Sequence, residues 1–369
     1  MAMMKCLRDK RTRRDLLTYA LVIAAFAIVY LLQANHMIPR MIAGQLVPIC
    51  AYIVMALSLN LVVGVAGDLS LGHAGFMSVG AYTGVVAAMS LTGAIPDDGL
   101  RLIIAMAVGA ASAALAGFVI GIPVLRLSGD YLAIVTLAFG EIIKEIVTCL
   151  IVGVDERGLH VMFNLTGSLS VSDLNLSEGG VAIIKGAQGA SGVETISTFF
   201  AGFLLVMVAL IVVLNLVRSR TGRAIMAVRD NRIAAESVGI STTKYRMIAF
   251  VVSAALAGAA GALFGNGFSQ LSATKFDFNT SILILVFVVL GGLGNMRGSI
   301  IAAVALTILP EALRQFSDYR MLVYAIVLIL VMIVSNNDAL KGMAGRIRER
   351  LTSRGNLASR EKEEVSADA

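Results

Sequence analysis

Two glutamates four residues apart, Glu141 and Glu145, flank Lys144 in the stretch AFGEIIKEIV. On a helix this spacing puts both carboxylates on one face. Inside apolar sequence such groups mark a solute or proton path, because hydrocarbon solvates a carboxylate poorly. Arg126 and Asp130, just upstream in RLSGDYLAIV, allow a second reading, a membrane-edge position in which these charges pair with one another. A second polar concentration lies at 67–82, GDLSLGHAGFMSVGAY, where Asp68, Ser70 and His73 stand among glycines between long apolar runs. Non-helical backbone at membrane depth survives only when buried in protein or lining a water-filled cavity. The stretch therefore reads as a broken helix beside a translocation path. Asn60, Ser70, His73 and Glu141 are the candidates to line that path, with Asp68 and His73 read as holding the break in shape.

Enzyme chemistry finds little support. The chain has no G-x-x-x-x-G-K-[ST] to cradle a nucleotide, no G-x-S-x-G elbow and no H-E-x-x-H. His36, His73 and His160 lie far apart, and Cys6, Cys50 and Cys149 have no metal-like spacing. No catalytic residue, metal or cofactor is expected in this chain. The net charge of +6 does not point to nucleic acid, because the basic residues gather where apolar runs end.

The segment 218–246, RSRTGRAIMAVRDNRIAAESVGISTTKYR, is strongly basic. Asp230 or Asn231 can cap a short helix, RIAAESV supplies two turns, and Gly239 can end it in the left-handed conformation. Ile233, Ala234, Ser237 and Val238 then form one small, mildly apolar face, with Arg229, Arg232 and Glu236 projecting elsewhere. A short helix with such a face either docks in the groove of another protein or is an ordinary solvated loop.

The elements that must position these groups follow from composition. The 369 residues are 58% hydrophobic and 15% charged, with a mean hydropathy of +0.86, whereas a soluble domain carries about a quarter charged residues. Apolar runs occupy 16–32, 46–63, 74–91, 102–125, 131–152, 199–217, 247–264, 282–309 and 321–334, most of them long enough for roughly 30 Å of hydrocarbon. The fold class is all-α, a polytopic membrane helix bundle.

The basic segment 218–246 and the tail 341–369, basic before its acidic end, belong in the cytoplasm. The segment 153–197, with five acids and two bases, belongs outside. The N-terminus, 1–15, reads as the cytoplasmic flank of an uncleaved first span and not as a signal peptide. Both termini in the cytoplasm require an even number of crossings, so the nine runs cannot each be one span. Interruptions are expected at 67–82 and at GGLGNMRG, 291–298, giving about eight to ten crossings. Steps of G-x-x-x-G at Gly80/Gly84, Gly117/Gly121, Gly261/Gly265 and Gly294/Gly298 read as close helix packing, or as a sliding seam.

The segment AAESVG resembles the "EAA" coupling loop of ATP-binding-cassette (ABC) importer permeases. The chain as a whole resembles the longer permease subunit of branched-chain amino-acid ABC importers. The resemblance runs from about 53 to 333 and rests on ALSLNLVVGVAGDLSLGHAGFMSVGAY, GIPVLRLSGDYLAIVTLAFGEI, the coupling segment, AGAAGALFG, VVLGGLG and EALRQFSDYRML in that order. It implies a bacterial or archaeal inner-membrane permease. Its partners would be a second homologous permease subunit, two cytoplasmic ATPase subunits that use the ATP, and an external solute-binding protein. The coupling residues it implies are Arg229, Asp230, Arg232, Ala234, Ala235, Glu236 and Gly239.

Three departures stand out: NLTGSLSVSDLNLSEGG in the outer segment, SNNDALKGM after the last run, and Asp68 in place of a neutral amide. The rival reading is a secondary transporter driven by an ion gradient, for which Glu141 or Asp68 would have to titrate or bind the ion.

Overall fold

The computed structural model describes residues 10–35, 39–127, 129–155, 158–164, 171–174 and 180–313, with isolated positions 322, 325, 326 and 329. The chain divides into two compact units, Met1–Ile308 and Leu309–Ala369. Most of the run 321–334, the tail 341–369, Cys6, His36 and parts of the outer segment (165–170 and 175–179) lie outside the described residues.

The helices are α1 (Lys10–Ala34), α2 (Leu46–Asn60), α3 (His73–Ser90), α4 (Asp98–Val124), α5 (Asp130–Cys149), α6 (Phe199–Arg218), α7 (Arg220–Asp230), α8 (Arg232–Ser237), α9 (Thr242–Gly265), α10 (Phe278–Gly291) and α11 (Met296–Ala312). Several begin where a side-chain oxygen accepts an otherwise free backbone N–H: Asp97 from Gly99, Thr198 from Ala201, Ser219 from Gly222, Asn231 from Ala234 and Asp277 from Thr280.

Among the described residues four helices are long and apolar enough to cross a membrane: Leu46–Ala66, Asp98–Val124, Phe199–Arg218 and Thr242–Gly265. The first is 89% buried and the second 28%, so the helix that leads into the first glycine-rich break is a central one. Contacts at the helix ends give their directions. Arg246 of α9 reaches the carbonyls of Leu125 and Leu127, after α4 and before α5. At the far end Arg101 of α4 pairs with Glu194, and Ser197 donates to the Leu263 carbonyl of α9. These helices therefore alternate in direction between two ends.

The helical class holds for the membrane part, and one element was not foreseen. The run 131–152 leaves helical geometry at Cys149 and passes into β1 (Leu150–Asp155). With β2 (Gly158–Phe163), β3 (Val181–Lys185), β4 (Ala190–Ser191) and β5 (Gln270–Leu271), it forms an antiparallel sheet in the order β2-β1-β3-β4-β5. The described part of the acidic segment 153–197 thus contributes strands, and the sheet marks one end of the bundle. The other end carries α7 and α8.

Both expected interruptions are present. After Asn60 the backbone widens into a π-helical turn, Leu61–Ala66, which stops at Gly67 in the left-handed region (φ 77°). Regular helix resumes only at His73. The run 282–309 is likewise two helices, α10 and α11, that cross where Gly291 meets Gly298; a side chain on either would overlap the other's backbone. Between them α3, α4 and α9 form a seam of small residues. Gly80 abuts Gly258, Gly84 abuts Ala262, and Gly117 packs on Ala254. Backbone-to-backbone approach of this kind is how helices adhere where lipid gives no hydrophobic advantage.

Candidate coupling and translocation site

The two breaks touch, and Asn60 joins them. Its fully buried amide accepts from the Gly294 N–H at 2.8 Å and donates to Ser299 Oγ at 2.9 Å. An amide is suited to this place because it offers a donor and an acceptor together. Gly64, one turn on, lies so close to Gly294 that a methyl there would overlap its backbone nitrogen. Freed backbone groups inside a bilayer need protein partners, and each break supplies some of them to the other.

Segment 218–246, read from the sequence as a basic loop with one short helix, is more ordered than that. The helix α7 was missed, although its signals were present: Ser219 as cap, and Gly222, Ile225 and Val228 at helical spacing, all buried. Packing on this face brings Arg229 to the first break. Its Nη1 donates to the Gly64 carbonyl at 3.1 Å, and its stem packs over Gly67. Nε and Nη2 hold Asp230 at 3.0 and 2.8 Å.

Arg246, which the sequence placed at the end of the loop, lies in the second turn of α9 and is 5% exposed. It grips Asp68 with two bonds, at 2.8 and 2.7 Å, and donates to Leu125 O at 2.8 Å and Leu127 O at 3.3 Å. Asp68 is therefore a local ion pair across the break. Two guanidinium groups, one on each side of α8, hold the first broken helix.

Helix α8 itself matches the expected signals. Asn231 caps it at Ala234 N, 3.0 Å, and Gly239 ends it at φ 83°. Ala235 turns inward and is buried, while Ile233 and Val238 are 81% and 74% exposed; Ala234 and Ser237 are exposed beside them. Thr242 Oγ1 donates to Glu236 at 2.7 Å and Arg232 Nε donates to the same oxygen at 3.3 Å. These bonds, the first above all, pull the Glu236 carboxyl below the usual carboxylate range.

The four path candidates fall in different surroundings. His73 Nε2 shares a hydrogen bond of 2.7 Å with Ser58 Oγ of α2, and Ser253 of α9 donates to the Ser58 carbonyl at 2.6 Å. His73 thus ties the restart of α3 to α2, and Ser253 ties α9 to the same residue of α2. Ser70 is fully buried, and its hydroxyl has no hydrogen-bond partner among the described residues. Glu141 pairs with Lys144 at 2.8 Å and accepts from the Phe278 N–H at 3.1 Å, at the start of α10. Glu145 lies 3.8 Å from the same ammonium.

Residues 41–332 match the family model described as the permease component of branched-chain amino acid transport systems. The chain belongs to that permease family. It is 38% identical, over 291 residues, to the high-affinity branched-chain amino acid transport system permease protein LivM of Salmonella typhimurium. With LivM of Escherichia coli it shares 36% over 295 residues; each alignment covers 76% of this chain and 66% of the relative. LivH of Escherichia coli, described as a permease protein of the same kind of system, is 28% identical over 292 residues, covering 77% of this chain and 89% of the relative. No solved structure matches. This chain is thus a polytopic, helical membrane protein of the permease family, similar to both LivM and LivH.

Proposed function

We propose that this permease is the membrane-spanning subunit of an ABC importer for branched-chain or related hydrophobic amino acids. It works with a second homologous permease subunit, two cytoplasmic ATPase subunits and an external solute-binding protein. The membrane is the cytoplasmic membrane of a bacterium or archaeon, with both termini and α7–α8 in the cytoplasm and the sheet outside. ATP is used by the partner ATPases, since this sequence has no phosphate loop.

The observation that carries the reading is the pair of arginine contacts that bind the segment around α8 to the broken helices. The exposed Ile233 and Val238 give an ATPase subunit something to push. A push on α8 moves α7 and the start of α9 together, because only Asn231 separates α8 from α7 and the turn 238–241 before α9 is tied back by Ile240 N–H to the Ala235 carbonyl and by Thr242 to Glu236. Arg229 passes that motion to the Gly64 carbonyl, Arg246 passes it to Asp68, and Asn60 hands it on to Gly294 and the hairpin α10–α11. Each contact is a directed bond, so the two breaks respond as a set, and the path between the helices alternates its opening.

Asn60 and His73 spend their polar atoms within the protein and shape the breaks. Ser70 and Glu141 are the better candidates to meet solute.

The test is uptake into vesicles that contain the assembled transporter. Uptake should require ATP inside and survive a protonophore; uptake that persists without ATP and collapses with the proton gradient would establish the ion-driven alternative. In the same vesicles Arg229→Gln should leave assembly and ATPase activity in place while less solute is moved per ATP, with Arg229→Lys recovering part of the loss. An unchanged solute-to-ATP ratio would remove Arg229 from the path.

A further inference from the structure

Helix α5 and strand β2 share a surface that neither lipid nor water covers well. Helix α5 buries Leu132, Ala133 and Thr136 and packs Gly140 against Gly72. It turns outward Tyr131, Ile134, Ala138, Ile142 and Glu145, spaced by three or four residues and so aligned in one stripe. Glu141 and Glu145 stand roughly 17 and 23 Å above Asp130 at 1.5 Å per residue, which is within the hydrocarbon thickness. Yet their side chains are 39% and 67% exposed. The two carboxylates share one ammonium, Lys144, so acyl chains would have to face a net negative charge there, which membrane helices avoid.

The chain then runs straight into β1 and its hairpin partner β2, the edge strand of the sheet. Here the mismatch reverses. Leu159, Val161 and Phe163 alternate along β2 on one face and are all about half exposed, beyond the end of the helices, where water would meet them. An exposed apolar edge strand invites a partner. The two halves are continuous, since an open cavity of about 420 Å³ is lined by Glu141, Ile142, Glu145, Ile146 and Cys149 of α5 together with Phe163 of β2.

We infer that α5 and β2 form the face that meets the second permease subunit, with Glu145 at the seam between the two chains. This rests on the importer reading above. A soluble binding protein reaches β2 but not the lower turns of α5. Lipid reaches α5 but not β2. A membrane protein that also reaches past the ends of the helices covers both, and the second homologous permease proposed above is such a partner. The glutamates then face a protein surface or the solute path that two such subunits enclose.

The test places a benzophenone side chain at Ile142, and separately at Val161, in the transporter assembled from all its subunits. Ile146 and Phe163 serve as second sites in case either position fails to assemble, and the exposed Phe118 of α4 is the control. Illumination should attach the second permease at both the helix and the strand positions and not at Phe118. Attachment of the binding protein at the strand with nothing at the helix overturns the inference. So does attachment of a second copy of this chain, or no protein adduct from a complex that does contain the second permease. If no homologous permease co-purifies at all, the importer reading fails and takes this face with it.

Discussion

The seam of α3, α4 and α9 and the contact between the two broken helices use the same residue, glycine, for opposite ends. In the seam Gly80, Gly109 and Gly258 lie in regular helix and let backbones touch, with one hydroxyl pair, Thr83 and Ser112 at 2.7 Å, beside them. At the breaks Gly67 and Gly294 take positive φ, and the backbone groups they release are met by Asn60, Arg229 and neighbouring loops. The seam is packed by shape. The breaks are held by directed bonds that can be exchanged. A glycine count alone does not distinguish the two; what separates them is the positive φ at Gly67 and Gly294 and the bonds made to backbone groups around the breaks.

Variants that strike one region and spare the other put this contrast at risk. The largest effect is expected from Gly258→Val, whose side chain would overlap the Gly109 carbonyl and the Ala113 methyl. Overpacking against backbone should cost about 3 kcal/mol, read as loss of the monodisperse protein in detergent. Near-normal melting would show that the seam is loose.

Next is Arg246→Met, which strands the largely buried Asp68. The expected loss is about 2–3 kcal/mol in thermal unfolding, and adding Asp68→Asn should return a good part of it. If the double variant is no better than the single one, the pair does not hold the break.

Asn60→Leu should cost less, about 1–2 kcal/mol for the unpaired Gly294 N–H and Ser299 hydroxyl, but should reduce uptake more than seam variants of equal stability. Equal losses would erase the distinction between joint and hinge.

The smallest effect concerns acidification. Because Glu236 titrates below its ordinary value in the folded protein, its contribution is present above the unfolded pKa and is lost as pH falls through the folded one. Amide protection in α8, taken relative to the intrinsic exchange rate at each pH, should fall below roughly pH 4, and Glu236→Gln should remove that dependence.

The bundle and both interruptions could be read from the sequence because each leaves a local mark, a long apolar run or a cluster of glycines inside one. The cap at Asn231 and the stop at Gly239 were legible for the same reason. Partnerships were not. Arg246 and Asp68 are 178 positions apart, and nothing in either neighbourhood names the other. Helix α7 reads as loop in the sequence because its charges outweigh a three-residue buried stripe. The sheet escaped notice because two of its strands, β4 and β5, have only two residues each, too short for alternation to register. Of the path candidates, His73 reads from the sequence as holding the break, whereas the partners of Asn60, Gly294 and Ser299, are visible only in the fold.

That small sheet has a mechanical consequence. Its strands follow α5, precede α6 and, through β5, follow α9, so three long helices are riveted to one plate at a single end. On the importer reading, a force entering at α8 would meet resistance to sliding these helices along their axes. It would swing their far ends about the plate instead, on a lever of about 30 Å, the length of a 20-residue helix, and α3 and α4 would travel with α9 because the seam and Arg246 join them.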